Sequence, residues 1–129
     1  MDTAETHGMA LSIDTLDGIH WLGILSALVS AGVHLLIGAW FFPSTLGISF
    51  VLAGLGFIGA VVLVLVDFHR RAVYAVGIPF TLVQIVLWYW VNFVGMDKSF
   101  PADIGTLDAV DKIAQVVLLA VLVVLLRRQ

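Results

Sequence analysis

The sequence predicts an all-α protein, an antiparallel four-helix transmembrane bundle, on three observations. The 129 residues are 61% hydrophobic and only 12% charged, far more apolar than a soluble domain of this size. Residues 18–66 contain no Asp, Glu, Lys or Arg. Four apolar stretches each come close to the roughly 20 residues that a helix needs to cross the hydrocarbon core.

The elements follow in order. Residues 1–17 form an acidic N-terminal segment with Asp2, Glu5, Asp14 and Asp17. A secretory signal peptide would carry a basic region there, so the first span is expected to direct its own insertion. Residues 18–129 form the transmembrane domain. Its first span is expected at about residues 18–42 and stops at Pro43, where the ring cannot continue a helix. After a turn of Pro43, Ser44 and Thr45, the second span covers about 46–68. The third covers about 72–94 after the turn at His69, Arg70 and Arg71. A longer loop with Pro101 and Gly105 leads to the fourth, at about 109–126. The stretches Ile13–Gly18 and Ile104–Ala109 look alike. They read either as a remnant of duplication or as two helix starts capped by Thr and Asp.

Orientation follows from the basic residues. Arg70, Arg71, Arg127 and Arg128 fall on the side of the termini, and Lys98 and Lys112 on the other. That bias predicts both termini in the cytoplasm of a multi-pass cell-membrane protein. Trp21, Trp40 and Trp90 sit near span ends, where indole rings prefer the interface, and Trp88 lies deeper.

Lipid gives helices no hydrophobic reason to associate, so small and polar residues mark the packed faces. On span one, His20, Gly23, Ala27, Ser30, Ala31, His34 and Gly38 share an arc of roughly 100° at 3.6 residues per turn. On span two the stripe is Ser49, Ala53, Gly56, Ala60 and Asp67. On span three it is Tyr74, Gly77, Thr81, Gln84, Trp88 and Asn92. Past Gln115, span four is nearly all Val, Leu and Ala, so it is expected to pack loosely or to face another subunit. Pro79 inside span three predicts a kink, eased by Gly77.

Function classes narrow quickly. With no cysteine, disulfides, iron–sulfur clusters and thiol catalysis are excluded. A net charge of -3 without a basic cluster gives no nucleic-acid surface. Nucleotide-loop, serine-hydrolase and zinc-protease signatures are absent, so the residues do not call for an enzyme.

Ionisable groups within spans are costly and are therefore candidates for function. His20 and His34 stand 14 residues apart on one helix face, a spacing that resembles the paired haem ligands of cytochrome b helices. His69 is a facing partner for His20, but no second histidine faces His34, so two haems are excluded by ligand count. One haem on His20 and His69 remains, as does a metal on His20, Asp67 and His69 with His7. The plainer alternative pairs Asp67 with Arg70 or Arg71 and leaves His20 and His69 solvated at the interface. His34 lies deep in a charge-free helix and must find a hydrogen-bond partner, Gln84 or Ser30. It is either an interhelical contact or a ligand contact in a cavity shared with Gln84, Trp88 and Asn92. A lone histidine without a carboxylate near mid-membrane argues against a proton pump.

The segments Gly18-Ile-His-Trp-Leu-Gly23, Gly32-Val-His-Leu-Leu-Ile-Gly38 and Tyr74-Ala-Val-Gly-Ile-Pro-Phe-Thr-Leu-Val-Gln-Ile-Val-Leu-Trp-Tyr89 resemble a family of small uncharacterised haloarchaeal membrane proteins. The resemblance spans roughly residues 18–92 and implies a four-helix polytopic protein of the archaeal cell membrane. It implies no activity, and no site residues carry over. Three functions are therefore expected, in order. The first is a non-enzymatic accessory or scaffold subunit that meets a homo- or hetero-oligomeric partner through span four. The second is a haem- or metal-binding redox protein using His20 and His69. The third is a small-molecule carrier or sensor with a cavity around His34 and Gln84.

Overall fold

The computed structural model describes residues 11–96 and 98–128. Among these, the architecture is α1 (Gly18–Phe41), α2 (Thr45–Leu65), α3 (Arg70–Tyr89) and α4 (Thr106–Arg127). Each is long and apolar enough to cross a membrane. α3 runs on into a π turn over Trp90–Val94, and a short 3-10 turn at Ile13–Thr15 precedes α1. Of the N-terminal segment, residues 1–10, with His7, lie outside the described residues.

Local chemistry sets the helix ends. The Asp17 carboxylate accepts from the backbone N–H groups of Ile19 (3.1 Å) and His20 (3.3 Å). These are donors that a helix start leaves open. Ser44 does the same for α2, accepting from the N–H of Gly47 at 3.1 Å. α4 starts without a side-chain cap, after Gly105, with Asp108 in its first turn. The two similar segments thus start their helices differently. α2 stops at Leu65 because Asp67 and His69 adopt positive φ (54° and 50°), a conformation that ends a right-handed helix.

Going round the bundle, the order is α2, α1, α4, α3. α1 packs most extensively, on α2 and on α4, α3 packs on α4, and the α2–α3 seam is the thinnest. The close approach of α1 and α2 uses glycines. A Cβ at Gly47 would fall 2.5 Å from the backbone carbon of Phe41, and one at Gly54 would fall 2.7 Å from Leu35. The core joins all four helices through Ile24, Ala27, Ala31, Phe57, Val61, Val64, Tyr74, Leu118, Val121, Leu122 and Leu125.

The predicted face of α1 is buried in full, and Tyr74 and Thr81 are buried on the predicted face of α3. α2 is rotated by about one residue. Its buried residues are Gly47, Gly54, Phe57, Val61 and Val64, whereas Ser49 and Asp67 are exposed. Phe57 decides this, because its ring packs at 5.8 Å from that of His34. The expectation of a loosely packed fourth span is also corrected. α4 buries Asp111, Ala114, Gln115, Leu118, Val121, Leu122 and Leu125, a stripe of alternating three- and four-residue steps lying against α1 and α3.

Polar contacts tie one end of the bundle together. Ser12 donates its N–H to the Leu65 carbonyl (2.7 Å), and Arg70 donates to the Val64 carbonyl (2.9 Å) and to Thr15 Oγ1 (2.8 Å). Arg70 also pairs with Asp67 at 3.3 Å, as one sequence reading had it. Arg128, just past α4, donates to Asp17 at 2.7 Å. Arg128, and then the His20 hydrogen bond, hold the Asp17 carboxyl well below the usual carboxylate range.

Two outcomes follow. Gly47→Ala must move the Phe41 backbone, and should lower stability by about 1–3 kcal/mol, the usual cost of overpacking. Gly59→Ala meets nothing within 4 Å and should be neutral or slightly stabilising. Thermal unfolding of both variants in detergent compares them. A carboxyl whose folded pKa is depressed adds stability above its unfolded value near 3.9 and loses it as pH falls through the folded value. The melting temperature should therefore decline below about pH 4, and Asp17→Asn should flatten that decline.

Candidate functional site

Two features lie stacked along the bundle axis. The first is a polar cluster inside the half nearer the α1–α2 turn. Asp111 is 3% exposed on α4, and its carboxylate accepts from Ser30 Oγ (2.5 Å) on α1 and from Lys112 Nζ (2.6 Å). Lys112 also donates to Gln115 Oε1 (3.0 Å) and lies 5.4 Å from the centre of the Trp88 ring. Gln115, fully buried, donates from Nε2 to Ser30 Oγ (3.3 Å) and to Gln84 Oε1 (3.0 Å) on α3. His34 Nδ1 sits 2.8 Å from the Ser30 carbonyl and 3.6 Å from Asp111 Oδ1. A carbonyl oxygen only accepts, so Nδ1 is the nitrogen that carries the proton.

The cluster adds a carboxylate to the groups within the spans, roughly 8 Å along α4 from its start at 1.5 Å per residue and short of mid-membrane. The predicted fourth span contained Asp111, but that residue was not among the candidates for function. The available signal was its spacing of four from Gln115, which puts both on the buried face of α4. The cluster joins three helices and keeps its buried charges paired, since an unpaired charge in low dielectric is costly.

The second feature is a cavity of about 60 Å³ in the other half, walled by all four helices. Its lining is almost wholly apolar, with Ile24, Phe57, Val61, Val64, Leu118 and Leu122 among the walls. Three polar side chains line it as well: His20, Tyr74 and Thr81. The Tyr74 hydroxyl and the Thr81 hydroxyl are buried without a hydrogen-bond partner, in residues 1% and 0% exposed. Leaving such a group unpaired costs about 1–3 kcal/mol, and the Trp88 indole N–H beside the cluster is buried in the same state.

Each sequence candidate can now be placed. His34, Gln84 and Trp88 come together through Gln115 and Lys112 in the cluster. Of the two partners foreseen for His34, Ser30 is the direct one, and Gln84 is linked through Gln115 and Ser30. Asn92 lies on the same helix, donating to the Trp88 carbonyl (2.8 Å) and accepting from Lys98 (3.0 Å). His20 is buried at the cavity, its Nδ1 2.9 Å from the Asp17 carboxylate. His69 is exposed in the α2–α3 turn, with its ring against Phe68. Among the described residues no group of three or more His, Asp or Glu is placed to hold a metal ion. Tyr74 and Thr81 were legible as part of a packed face, and only the structure reveals their unpartnered hydroxyls.

Fold and site define the class: a polytopic membrane protein with four candidate spans, an internal polar cluster and an internal cavity. Within that class the chain belongs to DUF7475, a family of unknown function whose profile matches residues 6–126. No curated protein and no solved structure matches it significantly.

If the cluster is a clamp built on an ion pair, partners should depend on each other. Lys112→Met alone leaves Asp111 buried without its cation and should cost about 3–5 kcal/mol, whereas Asp111→Asn with Lys112→Met should recover most of that loss. Unfolding of the two single variants and the double variant in the same detergent measures the coupling.

Proposed function

We propose that this protein is a non-enzymatic, membrane-embedded binding protein, a carrier or sensor for a small apolar molecule held in the cavity between its four helices. The observation that carries this is a cavity walled by all four helices with an almost wholly apolar lining, beside which the Tyr74 and Thr81 hydroxyls are buried without partners. Binding sites of this kind combine apolar walls with a few polar groups that orient the ligand. The cavity replaces the surroundings of His34 and Gln84 as the place for a ligand. Those two residues belong to the clamp above it, where they hold α1, α3 and α4 at fixed spacing.

The placement in the cell is part of the same proposal. Arg70, Arg71, Arg127 and Arg128 at one end favour a cytoplasmic location for both termini in an archaeal cell membrane. A subunit contact through α4, the first expectation from sequence, would use its outward stripe of Val110, Ile113, Val116 and Val123. Lipid chains cover such a stripe equally well, so the cavity is the stronger basis for function.

Native mass spectrometry of the protein released from detergent tests the binding role. The wild type should carry a small apolar adduct, and Tyr74→Phe with Thr81→Val should lose most of it while keeping its helical circular dichroism. A bare protein mass from membranes and after incubation with lipid extract would favour the scaffold reading.

A further inference from the structure

Close helix packing bounds the cavity at three of the four seams. α1 packs closely on both α2 and α4, and α3 on α4. Towards the end that carries the termini, Val64, Tyr74 and Leu125 are all buried. The α2–α3 seam is different, because it is the thinnest contact in the bundle. One side chain stands across it. Phe80 lines the cavity and is also 36% exposed on the outer surface. Its ring meets Phe57 edge-on at 5.1 Å and lies over Gly56, where a Cβ would come within 2.8 Å of its tip. Glycine at that position is what lets the ring lie down across the seam.

The backbone beside the ring is locally weak. Pro79 precedes Phe80 inside α3 and has no N–H for the carbonyl four residues earlier. A helix missing that bond bends at lower cost than its neighbours. A ring that turns on a weakened segment, over a glycine and at the thinnest seam, has the parts of a lateral door.

Resting on the binding role above, we propose that the occupant is a membrane-dissolved molecule that enters from the lipid between α2 and α3, past Phe80. Its chemistry follows from the walls. An apolar body satisfies the lining, and a hydroxyl or carbonyl group meets a buried hydroxyl. Tyr74 and Thr81 are seven residues apart on one face of α3, about 10 Å of helical rise, so one small polar group reaches only one of them. The other hydroxyl takes a second polar group of the occupant or a water. A solute already dissolved in lipid has shed its hydration and crosses the seam without the desolvation cost of a water-borne one.

The probe for the test is xenon, small enough for a cavity of about 60 Å³, equilibrated with phospholipid nanodiscs that hold the protein. Its binding and exchange are followed by xenon NMR against protein-free discs. The wild type should show saturable binding. Ala60→Leu, which fills part of the cavity wall, should weaken it at least tenfold. Gly56→Ala, which displaces the ring, should speed both entry and release several-fold with little change in affinity, and Phe80→Ala, which removes the ring from the cavity wall, should speed entry and release at least as much. Two variants guard against misfolding of either one, and helical circular dichroism checks both. If the wild type shows no saturable binding, or Ala60→Leu binds as well as wild type, the cavity holds no such ligand and both proposals fall. If binding is saturable but both seam variants exchange at the wild-type rate, the binding role stands and the lateral route is overturned.

Discussion

The structure depends on a buried ion pair, Asp111 with Lys112, held among neutral polar groups from three helices. Within a membrane, apolar side chains gain nothing by leaving lipid for one another. Packing of small residues and polar contacts must therefore specify which helices are neighbours. Ser30 on α1, Gln84 on α3 and Gln115 on α4 all converge on that pair or on each other. α4 is tied by this cluster to both α1 and α3, whereas no member of the cluster comes from α2. The thin α2–α3 seam is the geometric counterpart of that omission. α2 is held instead by close packing on α1 through Gly47 and Gly54.

That division of labour explains where empty space can persist. One half of the bundle is pinned by the cluster, and the terminal end is pinned by contacts of Arg70 and Arg128 with Val64, Thr15 and Asp17. Between these two fixed levels, the walls are small or branched residues such as Gly23, Ala27, Ala60 and Gly77. Cores normally close over voids, because lining atoms on a void lose dispersion contacts. Here both levels hold the helices apart, and a cavity remains at the height where α3 carries Tyr74, Gly77 and Thr81.

How much of this was legible in the sequence differs by helix. α1 was read correctly down to its buried face, since a charge-free helix shows its small and polar residues plainly. α2 was read one residue off, because the search for small residues undervalued Phe57, an aromatic ring that fills space beside His34. α4 was misread for the opposite reason. Asp111 and Lys112 stood at the start of the predicted span and were not weighed as buried groups, yet each is satisfied by the other and by neighbours, and a satisfied pair can be drawn into the bundle. Sequence patterning reports the cost of burying a charge, whereas its repayment here depends in part on Ser30, 81 positions from Asp111. The unpartnered state of Tyr74 and Thr81 was illegible on the same ground: a missing partner is a property of all four helices together.

The same logic separates the two polar features by role. In the cluster, the ionic groups are paired and the side chains of Ser30, Gln84 and Gln115 meet partners within the protein, with the Trp88 indole N–H left buried without an acceptor. Such networks fix geometry. Around the cavity the balance is reversed, because Tyr74 and Thr81 offer hydroxyls that the protein itself does not use. A membrane protein retains buried polar groups at a cost. The cluster gives the bundle its shape, and under the proposed binding role an occupant of the cavity would offset the cost of the Tyr74 and Thr81 hydroxyls.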